Sequence, residues 1–162
     1  MTDRSILHET FSIERTYPAA PSRVFAAFAS REAKDAWADT GGLEQTEAQS
    51  AGEEFDFRPG GRERFSHQWE GTRFRYDALY YDIVPDQRIV YTYEMYADDV
   101  RISVSVATIE LAKTADGTAL TWTEQGAYLD GIDGPEAPSL RRGGTEDMLD
   151  GLTTFLSGQP SD

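Results

Sequence analysis

Few side chains in this sequence of 162 residues can do chemistry, and those few fall into step with one another. There is no cysteine, so thiolate nucleophiles, disulfides and cysteine-based zinc sites are excluded, and only His8 and His67 offer imidazole. Two imidazoles without a gathered set of carboxylates give no reason to expect a metal, and no pattern calls for a cofactor. Glu124 is the best acid–base candidate. It shares strand parity with Leu120 and Trp122, so its carboxylate points to the apolar side, where it must find a partner or stay protonated. The same position would equally suit a structural salt bridge, a hydrogen-bonded carboxylate or a strand-end residue reaching water. His67, placed among aromatic residues, is a second candidate for donating to a ligand or moving a proton, or else a packing residue. Arg58 precedes Pro59-Gly60-Gly61 and would either clamp a ligand carboxylate or anchor the turn.

The elements that must position these groups are legible from periodicity. Phe11, Ile13 and Tyr17 alternate within Ile6 to Tyr17, the pattern of a half-buried strand. Pro21, followed by Val24, Phe25 and Phe28 at helical spacing, starts a short helix; Ser30 offers an N-cap for a second, Arg31 to Trp37. Strands are expected from Leu43 to Gln125. A turn at Gly71-Thr72 would set Trp69 opposite Phe74, His67 opposite Tyr76 and Phe65 opposite Ala78. Pro85-Asp86 would set Tyr80 opposite Tyr91, Ala78 opposite Tyr93 and Tyr76 opposite Met95. Asp98-Asp99 would set Met95 opposite Ile102, Tyr93 opposite Val104 and Tyr91 opposite Val106. The three turns agree on one aromatic-rich face. Beyond Val106 the apolar parity changes, which calls for a bulge near Ala107. Gly126 to Pro138 is rich in Gly, Pro and Asp and is expected to be a loop serving as a lid. Met148, Leu149, Leu152, Phe155 and Leu156 form the stripe of an amphipathic final helix that must cover an apolar surface.

The economical architecture is α+β: a curved antiparallel sheet wrapped around a long C-terminal helix, with two short helices after the first strand, in one domain with an ordered core from about residue 6 to 157. The candidate ligand-binding residues are those of the aromatic face and its cover. They are Phe57, Phe65, His67 and Trp69; Tyr76 and Tyr80; Tyr91, Tyr93 and Met95; Val104; Trp122 and Glu124; and Met148 and Leu152. Tyrosine hydroxyls around an apolar chamber suit a small hydrophobic or aromatic molecule. A net charge of −14 repels phosphate backbones and excludes nucleic acid as a partner. No apolar run approaches the roughly 18 residues of a membrane helix. The polar opening Met1 to Ser5 predicts no signal peptide, so a cytoplasmic address is expected.

The strings Asp56-Phe57-Arg58-Pro59-Gly60-Gly61, Tyr81-Asp82-Ile83-Val84-Pro85-Asp86-Gln87-Arg88-Ile89-Val90-Tyr91 and Gly117-Thr118-Ala119-Leu120-Thr121-Trp122-Thr123-Glu124-Gln125 carry a resemblance over nearly the whole chain. In that order, with the terminal helix, they resemble the helix-grip (Bet v 1-like) proteins: START domains, polyketide cyclases and, most closely, the domain related to the activator of Hsp90 ATPase. The resemblance implies the helix-grip fold with a cavity for a hydrophobic ligand, or alternatively cyclase or hydratase chemistry using acid–base residues in it. Relatives often carry a tryptophan after a glycine near the start of the final helix; here Gly144 is followed by Thr145. Chaperone activation is not carried over, because the related co-chaperones use a separate N-terminal domain. A chaperone partner is the least favoured reading.

Overall fold

The computed structural model describes residues 4–38 and 53–158. Strand β1 (Ile6–Tyr17) buries Phe11, Ile13 and Tyr17 on one face, as their alternation predicts. Pro21 then opens helix α1 (Pro21–Ala29), its missing N–H falling where no intrahelical partner exists. Helix α2 (Arg31–Ala38) starts immediately after, with the Ser30 hydroxyl accepting the Ala33 amide at 3.1 Å as an N-cap. Trp37 anchors α2 on α1, its indole N–H donating to the Ala27 carbonyl at 2.7 Å and its ring set edge-on to Phe28. The strand expected to begin at Leu43 lies outside the described residues up to 52.

The rest of the sheet comprises β2 (Glu54–Phe55), β3 (Arg62–Trp69), β4 (Thr72–Val84), β5 (Arg88–Ala97), β6 (Val100–Lys113) and β7 (Thr118–Leu129). All neighbours are antiparallel, in the order β1-β7-β6-β5-β4-β3-β2, so the chain meanders from β2 to β7 and β1 closes onto the last strand. Helix α3 (Ala137–Ser157) lies across the inner face, burying Leu149, Leu152 and Leu156 completely or nearly so. Each such burial contributes about 2 kcal/mol relative to exposure. Tyr17 ties strand to helix: its hydroxyl donates to the Leu149 carbonyl at 3.2 Å, and burial pushes its pKa up to about 12.

Three turn predictions meet three different outcomes. The β3–β4 turn is Glu70-Gly71, both with positive φ (49° and 82°), so Trp69 faces Thr72, His67 faces Phe74 and Phe65 faces Tyr76. A turn with both central residues left-handed matches the strand twist, and Gly at the second position admits it. The register is thus two residues from the expected one, a shift that leaves every side chain on its expected face. The pairs Tyr80–Tyr91, Ala78–Tyr93 and Tyr76–Met95 form as expected, by a different route: the loop is Pro85-Asp86-Gln87, and a bulge at Tyr81 absorbs the extra residue. The Asp98-Asp99 turn is as expected, with φ of 46° and 68°.

The parity change in β6 comes at Ile102 rather than near Ala107. Met95 therefore faces Ser103, Tyr93 faces Ser105 and Tyr91 faces Ala107. Ser103 and Ser105 are buried, and Val104, predicted to line the chamber, points outward. Small residues are needed there because tyrosines crowd the neighbouring strand. A second correction concerns the expected loop. Strand β7 runs on to Leu129 because β1 is long enough to pair Leu7 with Tyr128 and Ile6 with Leu129. Gly126 is therefore a strand residue, with the Tyr128 ring lying over its missing side chain. Only residues 130–136 remain as a connection to α3.

Candidate functional site

Between the inner face of the sheet and helices α2 and α3 the protein leaves a space of about 950 Å³. The wall is a ladder of rings. His67 stacks on Phe74 (5.5 Å between centroids), Phe65 on Tyr76 (4.8 Å) and Tyr76 on Tyr93 (5.0 Å), each pair made by adjacent strands. Tyr80 and Tyr91 continue the ladder at 5.7 Å, and Phe57 meets Tyr80 edge-on at 5.1 Å. Met95, Trp122 and Glu124 complete the sheet side and Met148 contributes from α3. Twelve of the predicted residues thus come together. Trp69 among them sits at the rim, 51% exposed. Two do not belong: Val104 is on the outer face, 38% exposed, and Leu152 is wholly buried in the apolar core beneath α3 rather than lining the space.

Glu124 is buried and hydrogen-bonded on both oxygens. The Tyr93 hydroxyl donates to Oε2 at 2.8 Å and the Trp122 indole N–H donates to Oε1 at 3.4 Å. Burial raises its pKa above the ordinary carboxylate value, while the Tyr93 hydrogen bond, the nearby Arg141 charge and Trp122 work in the opposite direction. His67 is held toward its neutral form by burial, and its Nδ1 is buried with no hydrogen-bond partner among the described residues. Burial also raises the Tyr76, Tyr80, Tyr91 and Tyr93 pKa values, so these phenols stay protonated, and those of Tyr80 and Tyr93 donate to Glu63 and Glu124.

Four further polar residues complete the site, and none of them was among those singled out from the sequence. Arg141, in the second turn of α3, donates from Nη1 to the Tyr93 hydroxyl at 3.0 Å and from Nη2 to the Ser103 hydroxyl at 2.9 Å. Its guanidinium lies 5.5 Å from the Tyr93 ring centroid and 5.3 Å from that of Tyr128. Burial opposes the charge, yet Tyr93, Tyr128 and Glu124 together hold its pKa above the usual guanidinium value. At another part of the wall, Glu63 accepts from the Lys34 ammonium at 2.6 Å and from the Tyr80 hydroxyl at 2.8 Å. Continuing the alternation of Phe65 and His67 back by one step would have found Glu63. Lys34, Ser103 and Arg141 carry no such signal, since each reads as an exposed polar residue of its own element.

Arg58, by contrast, is exposed and pairs with Asp56 at 2.8 Å, which makes it a turn anchor. On the outer face of β3 and β4, Arg64 and Arg75 both pair with Asp77, at 2.8 and 3.2 Å. Among the described residues, no group of three or more His, Asp or Glu is gathered as a metal ion would require, and no helix is long and apolar enough to cross a membrane. The arrangement is a mostly apolar chamber with two hydrogen-bonded polar clusters in its wall, Arg141–Tyr93–Glu124 and Lys34–Glu63–Tyr80.

The chain is 40% identical to a structurally determined protein of Rhizobium leguminosarum, over 98% of this chain and all of that one, with a TM-score of 0.86. It is 42% identical to the Mll3558 protein of Rhizobium loti, over 93% of this chain and 99% of that one, with a TM-score of 0.80. A protein of the dynemicin biosynthetic locus, 18% identical, shares the fold with a TM-score of 0.61 over 92% of this chain and 47% of that one. No curated protein sequence matches. Residues 18–157 match the model of the Activator of Hsp90 ATPase homolog 1-like family. With those residues matched and the helix-grip architecture in place, the chain belongs to the Activator of Hsp90 ATPase homolog 1-like family.

Proposed function

We propose that this protein binds a small hydrophobic or aromatic molecule in the cavity between its sheet and its C-terminal helix. The observation that carries the reading is the space of about 950 Å³ left among the described residues, within the size range of small-molecule sites and walled by stacked rings with few polar groups. A purely structural core would close such a space, because interiors pack to crystal-like density. Native mass spectrometry of freshly purified protein tests the reading, together with a thermal-shift screen of flavonoids, fatty acids and small polyketides. A retained or stabilising compound supports it, since a ligand of the folded state raises the melting temperature. No retained mass and no shift across the screen would refute it.

Acid–base catalysis on the bound molecule is the second reading, favoured by one observation: Glu124 is a carboxyl of raised pKa joined through Tyr93 to the cavity wall. Glu124→Gln would then abolish turnover and spare binding. Equal loss of both would point to binding alone. A chaperone partner, which the family's name brings to mind, has no comparable support in the site.

A further inference from the structure

Among the described residues, several cations withdrawn from water are met by a charge of opposite sign. The partly buried Arg31, Arg64 and Arg75 each pair with a carboxylate, and Lys34 pairs with Glu63. Arg141 differs. It lines the cavity, and both of its protein hydrogen bonds go to neutral hydroxyls, those of Tyr93 and Ser103. No carboxylate oxygen of the described residues comes within 4.0 Å of its guanidinium; Glu124 is reached only through the Tyr93 hydroxyl, with both of its own oxygens already accepting hydrogen bonds.

The side chain is also held in place. Tyr93 and Tyr128 lie against the guanidinium, and Ser103 fixes one end of the fork. Ser103 can do so only because the bulge at Ile102 turns it inward. A guanidinium has five N–H donors, and two are used here, which leaves three without a protein acceptor among the described residues. A positioned cation with donors to spare, in a mostly apolar wall, suits an anionic oxygen pair brought by the ligand. The ring next to it states the rest of the ligand's shape. Tyr93, which accepts from Arg141, is itself stacked on Tyr76, and Tyr76 on Phe65. A flat aromatic body lying along that ladder would place a substituent at the Arg141 end.

We infer that the cavity takes an aromatic carboxylate, with its carboxylate on Arg141 and its ring system along the Tyr93–Tyr76–Phe65 wall. The inference rests on the cavity reading and narrows it to a chemical class. Binding follows the charge of the ligand, so a neutral molecule of the same shape is held less tightly. A charge-assisted pair in place of a neutral hydrogen bond corresponds to about tenfold or more in affinity.

The test is calorimetric titration of the whole protein with 2-naphthoate, 2-naphthamide and 2-naphthyl phosphate, repeated on R141Q. The expected result is 2-naphthoate bound at least about tenfold tighter than 2-naphthamide by the unaltered protein, with that preference abolished in R141Q. Equal affinity for the two in the unaltered protein overturns the carboxylate assignment while leaving the cavity reading intact. Binding of none of the three overturns the aromatic carboxylate assignment and leaves the cavity reading to the mass-spectrometric and thermal-shift screen. Tighter binding of the phosphate than of the carboxylate overturns the assignment in favour of a phosphoryl group. Should R141Q fail to fold, as judged by near-ultraviolet circular dichroism, the comparison of the three compounds on the unaltered protein still decides.

Discussion

Three glycines of helix α3 make opposite demands on a methyl group, and the contrast can be measured. At Gly151 an added Cβ would sit 2.4 Å from the backbone carbonyl oxygen of Trp37, whereas at Gly143 and Gly144 nothing lies within 4 Å. Replacing a helical glycine by alanine stabilises by about 1 kcal/mol where there is room. That gain applies at all three positions and cancels when one variant is compared with another. What remains between Gly143→Ala and Gly151→Ala is the cost of the clash. Since the neighbour is backbone, α2 or α3 must move as a body, and such overpacking costs about 1–3 kcal/mol. For a chain of this size 1 kcal/mol corresponds to about 2–4 °C in melting temperature. Gly143→Ala should therefore melt above the unaltered protein, and Gly151→Ala should melt below Gly143→Ala by roughly 4–8 °C for a cost near 2 kcal/mol. Differential scanning calorimetry reads both. Equal melting temperatures for the two variants would refute the close approach of α2 and α3 at this point, and with it the position of α2 as one wall of the cavity.

The carboxyl of Glu124, with its pKa raised in the folded state, keeps a proton that the unfolded chain has already released. Its contribution is therefore full below the unfolded carboxylate pKa and is lost as pH rises through the folded one. Urea denaturation across that range should show Glu124→Gln lacking this decline, and an identical pH dependence in the two proteins would contradict it. Tyr93→Phe removes the hydroxyl that joins Arg141 to Glu124, and should lower stability by about 1–3 kcal/mol because two partners lose a hydrogen bond at once; a change under 0.5 kcal/mol would show the bridge to be unimportant. Val104→Thr, on the outer face, should leave stability within about 0.5 kcal/mol and ligand binding unaltered. A loss of binding in that variant would argue that Val104 faces the cavity after all.

The face of the sheet is easier to read from sequence than its register. At the β3–β4 hairpin the turn falls one residue earlier than expected, which moves each partner by two and no side chain across the sheet. At the β4–β5 hairpin a three-residue loop and the bulge at Tyr81 cancel, so the expected inner pairs survive an incorrect turn. In β6 nothing cancels. The bulge at Ile102 exchanges Val104 for Ser103 and Ser105 on the inner face, against what polarity alone would favour. A buried serine is tolerable when its hydroxyl has a partner, and for Ser103 that partner is Arg141, contributed from 38 residues further along the chain. A pairing of that kind leaves no local trace. Glu124 was legible because its own strand exposes the conflict between charge and parity; Arg141 was not, because in a helix a single arginine conflicts with nothing.

The three tryptophans stand in three different surroundings. Trp69 is at the cavity's rim, half open to water; Trp122 is buried in the sheet side of the chamber wall with its N–H on Glu124; Trp37 is buried in the helical side of the wall with its N–H on the α1 carbonyl of Ala27. Indole emission shifts to longer wavelength with exposure to water, so the molecule carries a spectroscopic gradient running from its entrance to its interior. Occupancy of the chamber would perturb the red edge contributed by Trp69 and the blue-shifted emission of the buried Trp37 and Trp122, whereas unfolding would shift all three to the red. Filling, emptying and unfolding thereby acquire separate optical signatures, without any label being added to the chain.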